Sequence, residues 1–180
     1  MGWTNPRTWV AGEKPSAATL NAHIRDNLNA LNGFVRKTVD ESITSSTAVQ
    51  NDNELVFTIG ATGTYVFDLY LLVTSAANAA GDIQVGFSFP TGTLNLWGPG
   101  TDPALGSGTI ASGKFAASGA TSGTFWNDYG VSTTASGFNI HGLLQATATG
   151  TLTFQWAQFA SNANATTVKA NSHLIVKQAP

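Results

Sequence analysis

The sequence predicts a mainly β protein: an antiparallel β-sandwich of jelly-roll type, preceded by an N-terminal α-helix and an extended arm. Three observations predict it. Apolar residues recur at steps of three and four between positions 17 and 35, then alternate once the chain passes Ser42. Short β-branched and aromatic runs are separated by turn signals such as Gly60-Ala-Thr-Gly63, Gly98-Pro-Gly100 and Thr149-Gly150. Charge is scarce and unevenly placed. Asp, Glu, Lys and Arg make up 10% of the chain, against roughly 25% in an average soluble domain. Nine of these charges fall in residues 1–41, and the other nine are spread over the remaining 139.

A length of 180 residues suits one ordinary domain with a modest extension. The expected division is a docking arm and oligomerisation helix over 1–45, then the sandwich over 46–180. Apolar content of 42% allows a real core. A net charge of −2 leaves no basic footprint for nucleic acid and no polybasic membrane patch. The longest apolar run, around Leu69–Val73, is far too short to span a bilayer, so no membrane insertion is expected. There are no cysteines, which removes disulfides and thiolate metal sites. No continuous apolar run at the N-terminus suggests a Sec-type signal.

The arm carries Trp3 and Trp9 in polar surroundings. They suit either plugs for a pocket on a neighbour or a fold-back onto the chain's own domain. Ser16 follows Pro15 as the expected N-cap. Ala17, Leu20, Ile24, Leu28, Leu31 and Val35 then form one narrow apolar stripe, with Gly33 a plausible terminator before Phe34 and Val35. A helix of about 18 residues would be ~27 Å long and marginal alone in water, so the stripe is expected to bury against something. Copies of itself fit better than the chain's own sheet. The 4-4-3 steps predict a nearly straight bundle.

Strands are expected at Glu54–Ile59 and at Thr64–Thr74, the latter central with both faces covered. Asp82–Phe89 alternates and stops at Pro90, and Leu94–Trp97 is a further short strand. Residues 98–124 are rich in Gly, Ser, Ala and Thr and are expected as long loops or weak edge strands, with Thr124–Trp126 a short strand. Phe138–Thr147 and Thr151–Phe159 read as the clearest hairpin. Val168 and Ser172–Lys177 finish the sheet.

No constellation points to catalysis. His23, His141 and His173 lie far apart without metal-ligand spacing, so neither a metal nor another cofactor is expected. Asp68, Asp82, Asp102 and Asp128 show no local pairing of the kind a glycosidase needs. Trp97, Trp126 and Tyr129 lie beside loops and are candidate glycan contacts, because a ring face suits the apolar face of a sugar. Trp156 alternates with Phe154 and belongs in the core.

The N-terminal residues Trp9-Val-Ala-Gly-Glu13, Ala17-Ala18-x-Leu20-Asn21 and Ile24-Arg25-Asp26-Asn27-Leu28 resemble a pattern that recurs at the start of structural proteins of tailed bacteriophages, of minor tail, tail-fibre or head-fibre type. The region from Val49 through Gly81–Gly86 to Ala165–Ser172 is similar to the sandwich modules that follow it in some of them. The resemblance implies a non-enzymatic virion component. It would be a multimeric, usually trimeric, knob, short fibre or capsid decoration, with partners among other capsid or tail proteins. A host-surface glycan is the further partner expected if the protein is an adhesin.

Overall fold

A computed structural model of the chain describes residues 7–31, 33–75, 83–101, 110–118, 122–129 and 133–179. Ser16 opens the helix as expected: its backbone is extended and its hydroxyl accepts the Thr19 N–H at 3.1 Å. The helical segment consists of α1 (Ala17–Leu20), one π turn (Asn21–Arg25) and α2 (Asp26–Leu31).

The stripe does not continue to Val35. Gly33–Arg36 is a strand, β1, paired antiparallel with β12 (His173–Gln178), and Val35 lies opposite Leu174. Gly33 permits the change of structure. A Cβ there would come within 2.3 Å of the Val176 carbonyl oxygen, so only glycine lets the backbone join the sheet this closely. The ladder bonds and the packing of Val35 against the core outweigh any helical extension. Phe34, one residue away, points to the opposite face.

The remaining strands are β2 (Glu41–Ile43), β3 (Gln50–Ile59), β4 (Gly63–Ser75), β5 (Ile83–Ser88), β6 (Gly92–Thr101), β7 (Ile110–Ser118), β8 (Ser122–Tyr129), β9 (Ser136–Ala146), β10 (Gly150–Gln158) and β11 (Thr166–Val168). The first sheet runs β1-β12-β4-β9-β6-β7, with β11 bridging β4 to β2; the second runs β3-β10-β5-β8. Every pairing is antiparallel. Successive strands from β3 to β6, and from β8 to β10, alternate between the two sheets, the pattern of a jelly-roll sandwich. Because β1 and β2 belong to the first sheet, the sandwich starts at Gly33, ahead of the division expected near residue 45.

Two further expectations change, and a third is narrowed. β9 and β10 are not a hairpin, because they lie in different sheets. β9 is paired by β4 and β6, while β10 is paired by β3 and β5. The connection crosses the sandwich so that Ile140 and Leu144 can face Leu152, Phe154 and Trp156 through the core. Of the two alternatives for residues 98–124, the edge strands are the ones found: β7 ends the first sheet, paired with β6 in register from Thr93↔Ser118 to Thr101↔Ile110, and β8 ends the second. Finally, β4 is central, with Tyr65, Phe67, Leu69, Leu71 and Val73 buried, yet its other face carries exposed Val66 and Leu72. One side of the sheet is therefore open in the single chain.

The core joins Phe67 to Phe87 at 5.4 Å between ring centroids, and Phe87 to Phe154 edge-on at 5.8 Å. Trp156 is fully buried, as its alternation predicts. Gly142 of β9 makes room for Phe67, since an added Cβ would lie 2.1 Å from that ring. Gly142→Ala should therefore overpack the centre of the sandwich and cost about 1–3 kcal/mol, read as a fall in the urea midpoint at unchanged slope. An unchanged midpoint would mean that Phe67 has space to move.

Candidate functional site

Two surfaces carry the functional expectations: the N-terminal arm with its helix, and the outer face of the first sheet. In the arm, Gly12 adopts a positive φ of 80° and the Glu13 N–H donates to the Val10 carbonyl at 3.0 Å, closing a turn. Glu13 pairs with Arg7 at 2.7 Å, and the Arg7 guanidinium sits 5.1 Å from the centre of the Trp9 ring. Trp9 meets His23 of the helix edge-on at 6.4 Å. Trp9 thus leans on its own helix while a large part of its ring faces solvent. Trp3 lies outside the described residues.

On the helix, Leu20, Ile24 and Leu28 are between 39% and 60% exposed, and Ala17 is exposed as well. Steps of four residues on a regular α-helix drift by about 40° each, at 3.6 residues per turn. The wider π turn at Asn21–Arg25 offsets that drift and favours one common face for these residues. Among the helical residues whose side chains are described, Asn27 is the buried one, and its amide donates to the His23 carbonyl at 3.3 Å. The side chain of Leu31 lies outside the described residues, and Val35 belongs to β1.

The bend that follows β1 is fastened to β3 by charges that sequence reasoning left unassigned. The Lys37 ammonium donates to Asp52 at 2.9 Å and to Glu41 at 2.7 Å; the Lys37 and Asp52 side chains are both 0% exposed. Asp52 also accepts the Glu54 and Leu55 N–H groups at 3.0 and 2.9 Å, and Glu41 accepts the Asn53 N–H at 3.1 Å. Burial alone would push the Lys37 ammonium pKa down. The hydrogen bonds and charges of Asp52 and Glu41 outweigh burial and hold it above the ordinary lysine value.

Beside this network, Glu54 accepts the Thr38 hydroxyl and the Thr38 and Val39 N–H groups, and Asp40 pairs with Lys169. The Thr38 hydroxyl, with the two amides, holds the Glu54 carboxyl below its usual range; Lys169, followed by the Ala170 N–H, does the same for Asp40. A carboxyl with a lowered folded pKa stabilises above its unfolded pKa, and that contribution is lost as pH falls through the folded value. Amide exchange at Thr38 and Val39, corrected for intrinsic rates, should stay protected through the ordinary glutamate range and accelerate only at more acidic pH, whereas Glu54→Gln should exchange faster already at neutral pH. Protection in Glu54→Gln equal to that of the unchanged chain would show that the Glu54 contacts do not anchor this bend.

On the outer face of the first sheet, the pairings align Phe34, Ile175, Asp68, His141 and Trp97 in one row across five strands. His141 Nδ1 lies 2.5 Å from Asp68 Oδ1, with both side chains about half exposed. This cross-strand partner is invisible in the linear spacing, since the two residues stand 73 positions apart. Tyr70 stacks on His173 at 4.8 Å, and His173 meets Phe34 at 5.5 Å.

No protein family and no curated protein sequence matches the chain.

Trp97 is exposed on this face, beside His141. Trp126 and Tyr129 belong to β8 of the second sheet, opposite Val85 and Ile83, so the three proposed glycan contacts are divided between the two sheets. Among the described residues no group of His, Cys, Asp and Glu is placed to hold a metal ion, and no helix is long and apolar enough to cross a membrane. The described surfaces are thus an exposed apolar helix face and a partly aromatic sheet face, with a buried charged network after β1.

Proposed function

We propose that the protein is a non-enzymatic structural component of a bacteriophage particle. It assembles as a homotrimer through the N-terminal helix, docks to capsid or tail proteins through its arm, and displays the sandwich outward as a knob, short fibre or decoration. The observation that carries this reading is the part of the stripe formed by Leu20, Ile24 and Leu28, which stays exposed while Asn27 is the buried one among the described helical side chains. A short helix is marginal by itself, so a helix with an uncovered apolar stripe needs another molecule. Steps of three and four suit packing against like helices. The scarcity of charge fits a surface shared between neighbours. The phage resemblance of Trp9–Leu28 supplies the particle and the number three.

Light scattering of the purified chain at micromolar concentration tests the assembly. The expected mass is three times the 18.7 kDa of one chain. A clean monomer with its helix intact by circular dichroism would end the oligomer reading. Location is tested by immunogold labelling of intact particles, where capsid and tail positions separate directly.

A second reading, a host-glycan-binding tail adhesin or a free carbohydrate-binding module, is favoured by the exposed Trp97 next to the His141–Asp68 pair. It predicts glycan-array binding that Trp97→Ala abolishes. Binding that is absent, or insensitive to Trp97→Ala, removes this support for it.

A further inference from the structure

We infer that the outer face of the first sheet is a second contact surface between copies of this chain, continuous with the helix stripe. The inference rests on the oligomeric reading above and adds where the sandwiches themselves meet.

The two outer faces of the sandwich differ in how many large apolar side chains they carry at the described positions. On the second sheet the described outward positions are mostly small or polar: Thr58, Thr151, Gln155, Gln84 and Ser88, with Val56 the large apolar exception. On the first sheet the outward positions include Phe34, Val66, Leu72 and Trp97, between 38% and 57% exposed, with Tyr70 and Leu143 half-buried among them and the Asp68–His141 pair, Asn139, Gln145 and Lys177 as their polar neighbours. A strand face meant for water alternates with polar residues, and clustered apolar side chains on an outer face mark a contact surface. The His173 ring between Phe34 and Tyr70 holds part of this face in a fixed arrangement before anything binds.

Two arguments name the occupant as another copy. The first is area. Leu20, Ile24 and Leu28 offer on the order of 100 Å² each, whereas a stable specific interface needs about 800 Å² per partner. A helix stripe of this size does not hold an assembly by itself, and the sheet face supplies the missing area. The second is continuity. Phe34 stands six residues after Leu28, on edge strand β1, and leads directly to His173 and Tyr70.

The absence of native cysteine gives a clean test in the full chain. Val66→Cys places one thiol on the first sheet's outer face, and Thr151→Cys places one on the second's. Labelling by a maleimide should be at least tenfold slower at Val66→Cys than at Thr151→Cys in the assembled protein. The two rates should become similar when Ile24→Asp is added to dissociate it. Val66→Arg should weaken assembly at least tenfold by sedimentation equilibrium, with the unfolding midpoint of the dissociated chain little changed. Equal, fast labelling at both positions in an intact trimer overturns this inference and leaves the helix assembly standing. Rapid labelling together with Trp97-dependent glycan binding would assign the face to a sugar instead. A chain that is monomeric throughout overturns both this inference and the reading it rests on.

Discussion

Asp52→Ala is expected to lower the unfolding free energy by about 3–5 kcal/mol, the usual cost of leaving one partner of a buried pair alone. Lys37 would keep only Glu41 while staying fully out of water, and the Glu54 and Leu55 N–H groups would lose their shared acceptor. Typical domains are stable by 5–15 kcal/mol, so the variant should unfold at a much lower urea concentration or fail to accumulate. A second measurement keeps the argument sharp. If pairing is the cause, Lys37→Met combined with Asp52→Leu should recover most of the loss, since replacing a whole buried pair by apolar groups is often close to neutral. A double variant no better than Asp52→Ala would assign the effect to the backbone hydrogen bonds that Asp52 accepts. The pH dependence has a definite sign. A lysine whose folded pKa is raised gives its full stabilisation below the unfolded value, about 10.4, and loses it as pH rises through the folded value. Alkaline unfolding above that pH should therefore be shallower in the double variant.

Ile24→Asp is expected to dissociate the assembly completely at micromolar concentration. Each buried isoleucine contributes roughly 1.5–3 kcal/mol, and three copies near one axis would lose this together while gaining three mutually repelling carboxylates. Every 1.4 kcal/mol is a factor of ten in the equilibrium constant, so the loss exceeds a thousandfold. Ile24 is about half exposed in the single chain, so the sandwich itself should keep its stability within about 0.5 kcal/mol. The readout is a monomer mass by light scattering with an unchanged β signal by circular dichroism. An unchanged oligomer would move the contact away from the stripe and leave the sheet face as the principal interface.

Much of the fold was legible because periodicity reports burial. The N-cap at Ser16, the alternation in β4 and β5, and the buried Trp156 all follow from which residues must leave water. Helix length was not legible beyond Leu31. Phe34 and Val35 continue a helical step count as well as they begin a strand, and the choice depends on β12, a segment more than a hundred residues away. The β9–β10 connection had the same ambiguity. Two alternating runs joined by Ala148-Thr149-Gly150 fit a hairpin locally, and only the availability of β4, β6, β3 and β5 as partners sends them to different sheets.

A mainly β sandwich with a capped helix at its start, low in charge and carrying one apolar stripe, could be read from the residues alone, because these properties are local or additive along the chain. It took the folded chain to show that Leu20, Ile24 and Leu28 stay exposed, that Val66, Leu72 and Trp97 share a face with Phe34, and that Lys37, Asp52 and Glu41 meet inside. Each of those depends on which strands lie side by side, and strand pairing is set by burial and ladder bonds over the whole chain, beyond what any window of residues contains.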